Sequence, residues 1–172
     1  MKILYNTFEG CTYRAIRVFK FRDVLIEGNT FKDCFGSIYV GASSNDSKAG
    51  DTILINNNKF DGATGNVSPI SINGVTGALT KNVKVINNTF KNLSHVSGGA
   101  IYLNFSTSIF VSYNHFFDIS RALWVQNSEN VTFESNKTDV TSLELVYAHF
   151  TKNFNCIGNT VKEAKKIGIN LD

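Results

Sequence analysis

The chain has 172 residues, 42% of them hydrophobic and 18% charged, with a formal net charge of +3. That length holds one domain with a sizeable core, and the composition excludes a disordered chain. The charge excess is small and dispersed, which excludes the basic footprint of a nucleic-acid binder, and no apolar run reaches membrane-spanning length.

The first element is "MKILYNTFEG" (1–10). Its apolar stretch is too short for a signal peptide. Met1 and Ile3 alternate before Asn6, Phe8 follows two places after it, and "AIRVF" (15–19) comes next. The phrase then returns as "VLIEGNTFKDC" (24–34) with Asn29, followed by "SIYVG" (37–41). It returns as "ILINNNKFDG" (53–62) with Asn58 and "PISIN" (69–73). "VKVINNTFKNLS" (83–94) carries Asn88 before "AIYLN" (100–104), and "IFVSYNHFFD" (109–118) carries Asn114 before "ALWVQ" (122–126). Asn136 follows Val131 and Phe133 and precedes Thr138 and "SLELV" (142–146). Asn159 follows Phe154 and Cys156 and precedes Val161 and "GINLD" (168–172).

The seven asparagines are 23, 29, 30, 26, 22 and 23 residues apart. Period-two alternation on each side of the Asn predicts two short strands, and the later segment predicts a third. Three strands per repeat with no helical period describe one coil of a β-solenoid, whose stacked coils form three parallel sheets. Asn is a poor strand residue, but at a sharp bend its amide can bond to backbone and it tolerates the left-handed conformation. Stacking would set each Asn amide over the next as a ladder, with inward phenylalanines stacked beside it.

Two further columns agree with this register. Glu9, Lys32, Asp61, Lys91, Phe117, Asp139 and Lys162 largely alternate in sign, as neighbours on an exposed sheet should. Cys11 and Cys34 each lie three residues after their Phe, so they fall on adjacent coils, as a disulfide or as stacked free thiols.

The repeating phrase, with "I-x-L" strands and "N-V-x-I-x-x-N-x-F" bends, resembles the right-handed parallel β-helix superfamily, which includes pectate lyases and phage tailspike depolymerases. The resemblance runs the length of the chain. It implies an all-β, right-handed β-helix of seven three-strand rungs. It also implies an extracellular or virion-surface setting and a polysaccharide or oligosaccharide ligand, with no nucleic-acid or membrane partner. Both ends lack the polar caps that a solenoid needs. Residues 1–172 therefore read as one β-helix domain within something longer, with further β-helix or capping segments, or a homotrimer, as partners.

Insertions at 42–51, 62–68, 74–82 and 92–99 all flank the third-strand sheet in the middle rungs, the sheet on which the resembling family binds polysaccharide. The outward residue of each third strand reads Arg17, Tyr39, Ser71, Tyr102, Trp124, Glu144, Asn170. Exposed aromatic rings spaced by rungs can stack on sugars, and Asn73, Asn104 and Gln126 form an adjacent amide row. The expected substrate-binding set is Tyr39, Ser71, Asn73, Tyr102, Asn104, Trp124 and Gln126. A notch is expected at Ser71 between Tyr39 and Tyr102, with His95 at one wall and Lys48 or Lys81 at the other.

Acid–base chemistry would fall to Glu144, His95 and Arg121, with Asp172 as a second carboxylate at a spacing that inverting hydrolysis could use. Asp46 and Asp51 could hold Ca²⁺, although no defined ligand spacing supports it and no cofactor is required. Polygalacturonase-type "N-T-D" and "G-H-G" strings, P-loops and zincin motifs are absent from the sequence. Two functions therefore stay open at this point: a glycan-binding β-helix of a lyase, hydrolase or tailspike type, and a noncatalytic structural shaft or adhesin segment.

Overall fold

The computed structural model describes residues 1–42 and 50–172. It is an all-β stack of seven rungs, each contributing one strand to each of three seven-stranded parallel sheets. The first sheet runs from Lys2–Leu4 through Arg22–Glu27, Asp51–Asn56, Thr80–Ile86, Ser106–Ser112 and Glu129–Glu134 to Lys152–Ile157. The second runs from Thr7–Glu9 through Thr30–Cys34, Lys59–Ala63, Thr89–Leu93, His115–Ile119 and Lys137–Thr141 to Thr160–Ala164. The third contains Arg14–Phe19, Gly36–Gly41, Ile70–Asn73, Ile101–Asn104, Leu123–Gln126, Val146–His149 and Ile169–Leu171.

The seven asparagines form one continuous ladder. From Asn6 to Asn136 each backbone N–H and each Nδ2 donates to Oδ1 of the Asn one rung on, at 2.9–3.1 Å. From Asn29 onward Nδ2 also donates to a carbonyl of the preceding rung, as from Asn88 to Ile55 O at 3.0 Å. Every interior amide is thereby satisfied, which is why Asn29, Asn58, Asn88, Asn114 and Asn136 can be at most 2% exposed.

The left-handed conformation at this bend belongs to a different residue from the one the sequence suggests. Tyr5, Gly28, Asn57, Asn87, Tyr113, Ser135 and Gly158, each directly before the ladder Asn, have φ between 52° and 66°. The ladder Asn needs its side chain turned inward, and the preceding residue absorbs the bend. At Gly28 the exposed Tyr5 ring lies where a Cβ would stand, 2.4 Å away, so a larger residue there would have to displace it.

Phe8, Phe31, Phe60, Phe90 and Phe116 stack beside the ladder at centroid distances of 4.7–5.0 Å and interplanar angles of 3–12°. Rung six breaks the pattern. Thr138 pairs with Phe116 in the second sheet, and the large side chain comes instead from the first sheet, with Phe133 6.4 Å from Phe116. Cys11 and Cys34 are free thiols in this structure. Within the charged column Lys32 and Glu9 close an ion pair at 2.7 Å, and Asp139 faces His115 at 3.8 Å.

The third strand of rung six is also corrected. It is Val146–His149, not 142–146, and Tyr147 pairs with Trp124 in the register where Glu144 was expected. Both segments alternate apolar and polar residues, so periodicity alone cannot separate them. Packing decides: Leu145 bonds to Ala122 across the turn, and Glu144 falls beside Arg121.

Candidate functional site

The outer face of the third sheet carries a cavity of about 320 Å³ over Ser71. Ser71 stands between Tyr39 and Tyr102 on adjacent rungs, and its small side chain leaves the floor low. Asn73, Tyr102, Trp124 and Gln126 continue the floor. Asn66, Val67, Ser68 and Gly98, from the insertions before the third strands, form a wall, and Arg14 closes one end.

The floor is held by its own contacts. Gln126 Nε2 donates to the Tyr102 hydroxyl oxygen at 2.7 Å, which leaves the Tyr102 O–H free to donate elsewhere. Burial pushes the Tyr102 phenol pKa up, so this group stays a neutral donor. Arg14 donates to Ser68 O at 3.1 Å and lies over the Tyr39 ring, 5.4 Å from its centroid. Its burial pulls the guanidinium pKa down, yet it remains the charged group of the lining.

Five of the seven expected binding residues meet here: Ser71, Asn73, Tyr102, Trp124 and Gln126. Tyr39 lines no part of the cavity. Its ring lies along its own strand over Gly41, where a Cβ would stand 2.7 Å from Tyr39 Cε1, with Arg14 and Arg17 packed on it. That posture opens the notch. Asn104 is likewise absent from the lining, its Oδ1 accepting from Asn127 Nδ2 at 3.0 Å. The outer rings do not form parallel plates like those in the core. Tyr102 and Trp124 meet edge to face at 79°, and Trp124 and Tyr147 at 68°. The Trp124 indole N–H has no hydrogen-bond partner.

The expected walls lie elsewhere. His95 Nε2 donates to Ala63 O at 2.8 Å, outside the cavity, and Lys81 lies on the central strand of the first sheet in register with Asp51. Lys48 and Asp46 fall outside the described residues. Asp51 accepts from Asn82 Nδ2 at 2.7 Å, and no cluster of metal-binding side chains occurs among the described residues.

Of the three proposed acid–base residues, Arg121 and Glu144 are brought together, while His95 is held elsewhere by Ala63 O. Arg121 donates to Glu144 Oε2 at 2.5 Å and to Ser97 O at 2.9 Å, and it lies over the Trp124 and Tyr147 rings. Arg121 holds the Glu144 carboxyl below the usual carboxylate range, the opposite of what a general acid needs. Asp172 faces His149 at 3.2 Å instead of Glu144. The Arg121–Glu144 pair is thus a clamp that fixes the turn under Trp124.

That clamp has a pH signature. A carboxylate depressed in the fold stabilises above its unfolded value, near ~4.3, and the contribution is lost as pH falls through the folded value. Glu144→Gln is expected to cost about 1–3 kcal/mol at pH 7, because an ion pair close to solvent recovers less than a deeply buried one. The gap between parent and variant should narrow as pH falls below the usual carboxylate range and through the lowered folded value. Thermal melts across that range check it, and a gap independent of pH would remove the clamp.

Reasoning from sequence missed Arg14 and the wall residues Asn66, Val67, Ser68 and Gly98. The wall was signalled by the long insertions at 62–68 and 92–99. Arg14 could have been found by extending the first third-sheet strand back to Arg14, where it begins.

A family model described as "Right handed beta helix region" matches residues 38–172. Comparison with curated proteins finds no match. A similar solved structure is the crystal structure of PfbA, a surface adhesin of Streptococcus pneumoniae, 18% identical with a TM-score of 0.42. The likeness covers 98% of this chain and 37% of that one.

Proposed function

This chain belongs to the right-handed β-helix family, and on that premise we propose that its third sheet recognises glycans without cleaving them. The observation that carries the reading is the cavity over Ser71. It combines half-buried aromatic rings, a row of amides and hydroxyls, and one guanidinium, a lining suited to a polyhydroxylated ring. Trp124 and Tyr102 offer apolar edges and faces, while Asn66, Asn73 and Gln126 offer paired donors and acceptors. The described lining holds no carboxylate, and Glu144 is committed to Arg121, which favours binding over hydrolysis at this site. An extracellular or virion-surface setting accords with such a role.

Ser71→Trp is expected to fill the notch and abolish oligosaccharide binding with the melting temperature preserved. Trp124→Ala should weaken binding by roughly tenfold or more, the usual consequence of removing an aromatic anchor. A glycan array followed by calorimetry on the best ligand reads both. A Ser71→Trp variant that binds as tightly as the parent would move the site off this cavity. Silence of the parent across neutral and acidic glycans would favour a structural shaft.

A further inference from the structure

The outer face of the second sheet carries another cavity, of about 350 Å³. It follows from the core. Because Phe60, Phe90 and Phe116 point inward, the residues on either side of each point outward. The register then places Lys59, Thr89 and His115 in one column and Asp61, Lys91 and Phe117 in the next. With rungs about 4.8 Å apart, Lys59 and His115 stand about 10 Å apart across Thr89, and Lys91 rises beside Thr89 on the same strand.

These cations are not spent on one another's neighbours. Among the described residues neither Lys59 nor Lys91 makes an ion pair, and Lys91 lies 5.6 Å from the Phe117 centroid. Asp61 is engaged by Asn92 Nδ2 at 2.6 Å. His115 Nε2 has no hydrogen-bond partner, its nearest carboxylate being Asp139 at 3.8 Å. Burial, then Lys137, pulls the His115 pKa down, Asp139 opposes this, and Lys91 adds to it. The imidazole therefore feels two cations, Lys137 and Lys91, against one carboxylate, Asp139.

We propose that Lys59, Thr89, Lys91 and His115 form a binding site for a tetrahedral oxyanion, sulfate or phosphate, free or as a sugar ester. Two ammonium groups from adjacent rungs can converge on oxygens of one such ion while the Thr89 hydroxyl donates to another. The site lies on a different sheet from the glycan cavity and does not depend on it.

The chain has three histidines, so imidazole NMR resolves the ring at this site. Sulfate, phosphate and a hexose 6-sulfate are titrated separately at constant ionic strength, with chloride as the balancing ion. The expected result is a saturable shift of the His115 resonances through the millimolar range, with His95 and His149 unmoved. The His115 titration midpoint should also rise, because a bound anion offsets Lys59, Lys91 and Lys137 and adds to Asp139 and Asp61. The combined Lys59→Ala and Lys91→Ala variant should lose the shift and keep its fold. Response to the inorganic ions assigns a small-ion site, and response to the ester alone assigns a sulfated-sugar site. Both outcomes uphold the proposal. No saturable shift with any probe, or one unchanged in the double variant, overturns it. Ser71→Trp should leave this response intact, so a failure here is separable from a failure of the glycan cavity.

Discussion

Asn88→Leu is expected to lower the unfolding free energy by about 3–5 kcal/mol, far more than one polar-to-apolar exchange at a surface. Asn88 accepts from both the backbone N–H and Nδ2 of Asn58, and it donates to Ile55 O, Ile86 O and Asn114 Oδ1. Leucine removes all of these at once. Asn58 Nδ2 keeps Ile26 O and Asn56 O, but the Asn58 backbone N–H loses its ladder acceptor and stays buried. Such a stranded donor costs about 1–3 kcal/mol, and the remaining lost bonds supply the rest at roughly 1 kcal/mol each. For a chain of this length the melting temperature should drop by about 6–20 °C. Asn6→Leu is the internal control. Asn6 is exposed and no other Asn donates to its side chain, so its loss should stay near 1 kcal/mol, the net worth of an ordinary hydrogen bond. Equal losses at the two positions would mean that the ladder acts as independent turns.

Rung six provides the second large effect. In rungs one to five the first-sheet position is Ile or Val and the second-sheet position is Phe, as with Val85 and Phe90. Here the sizes are exchanged between Phe133 and Thr138, and both side chains are fully buried. Phe133→Val alone opens a cavity and should cost about 2–4 kcal/mol. Thr138→Phe alone forces a second ring into filled space and should cost about 1–3 kcal/mol. Together they rebuild the pattern of the earlier rungs, with a ring at the place where Phe116 expects its stacking partner. The double variant should therefore lose clearly less than the sum of the single losses, with a favourable coupling of about 2–3 kcal/mol. Denaturant unfolding of the four proteins measures it. Additive losses would show that the two positions do not share one volume.

The seven rungs, the register of the first two sheets and both inner ladders were legible in the sequence, because each rests on local signals. A period of two, one Asn and one Phe recur within a dozen residues, and stacking identical phrases places like on like. The groove was half legible for the same reason, since Ser71, Tyr102 and Trp124 follow from strand alternation alone. Three features depend on contacts between rungs, and only the tertiary structure decided them. The left-handed residue lies one place before the Asn, since the amide must point inward to reach both neighbouring rungs. Tyr39 folds over Gly41 and away from the notch, a choice of side-chain direction that strand alternation does not specify. The last aromatic of the outer column is Tyr147 and not Glu144. "SLELV" and "VYAH" satisfy the same alternation, and the pairing of Glu144 with Arg121 and of Tyr147 with Trp124 selects between them.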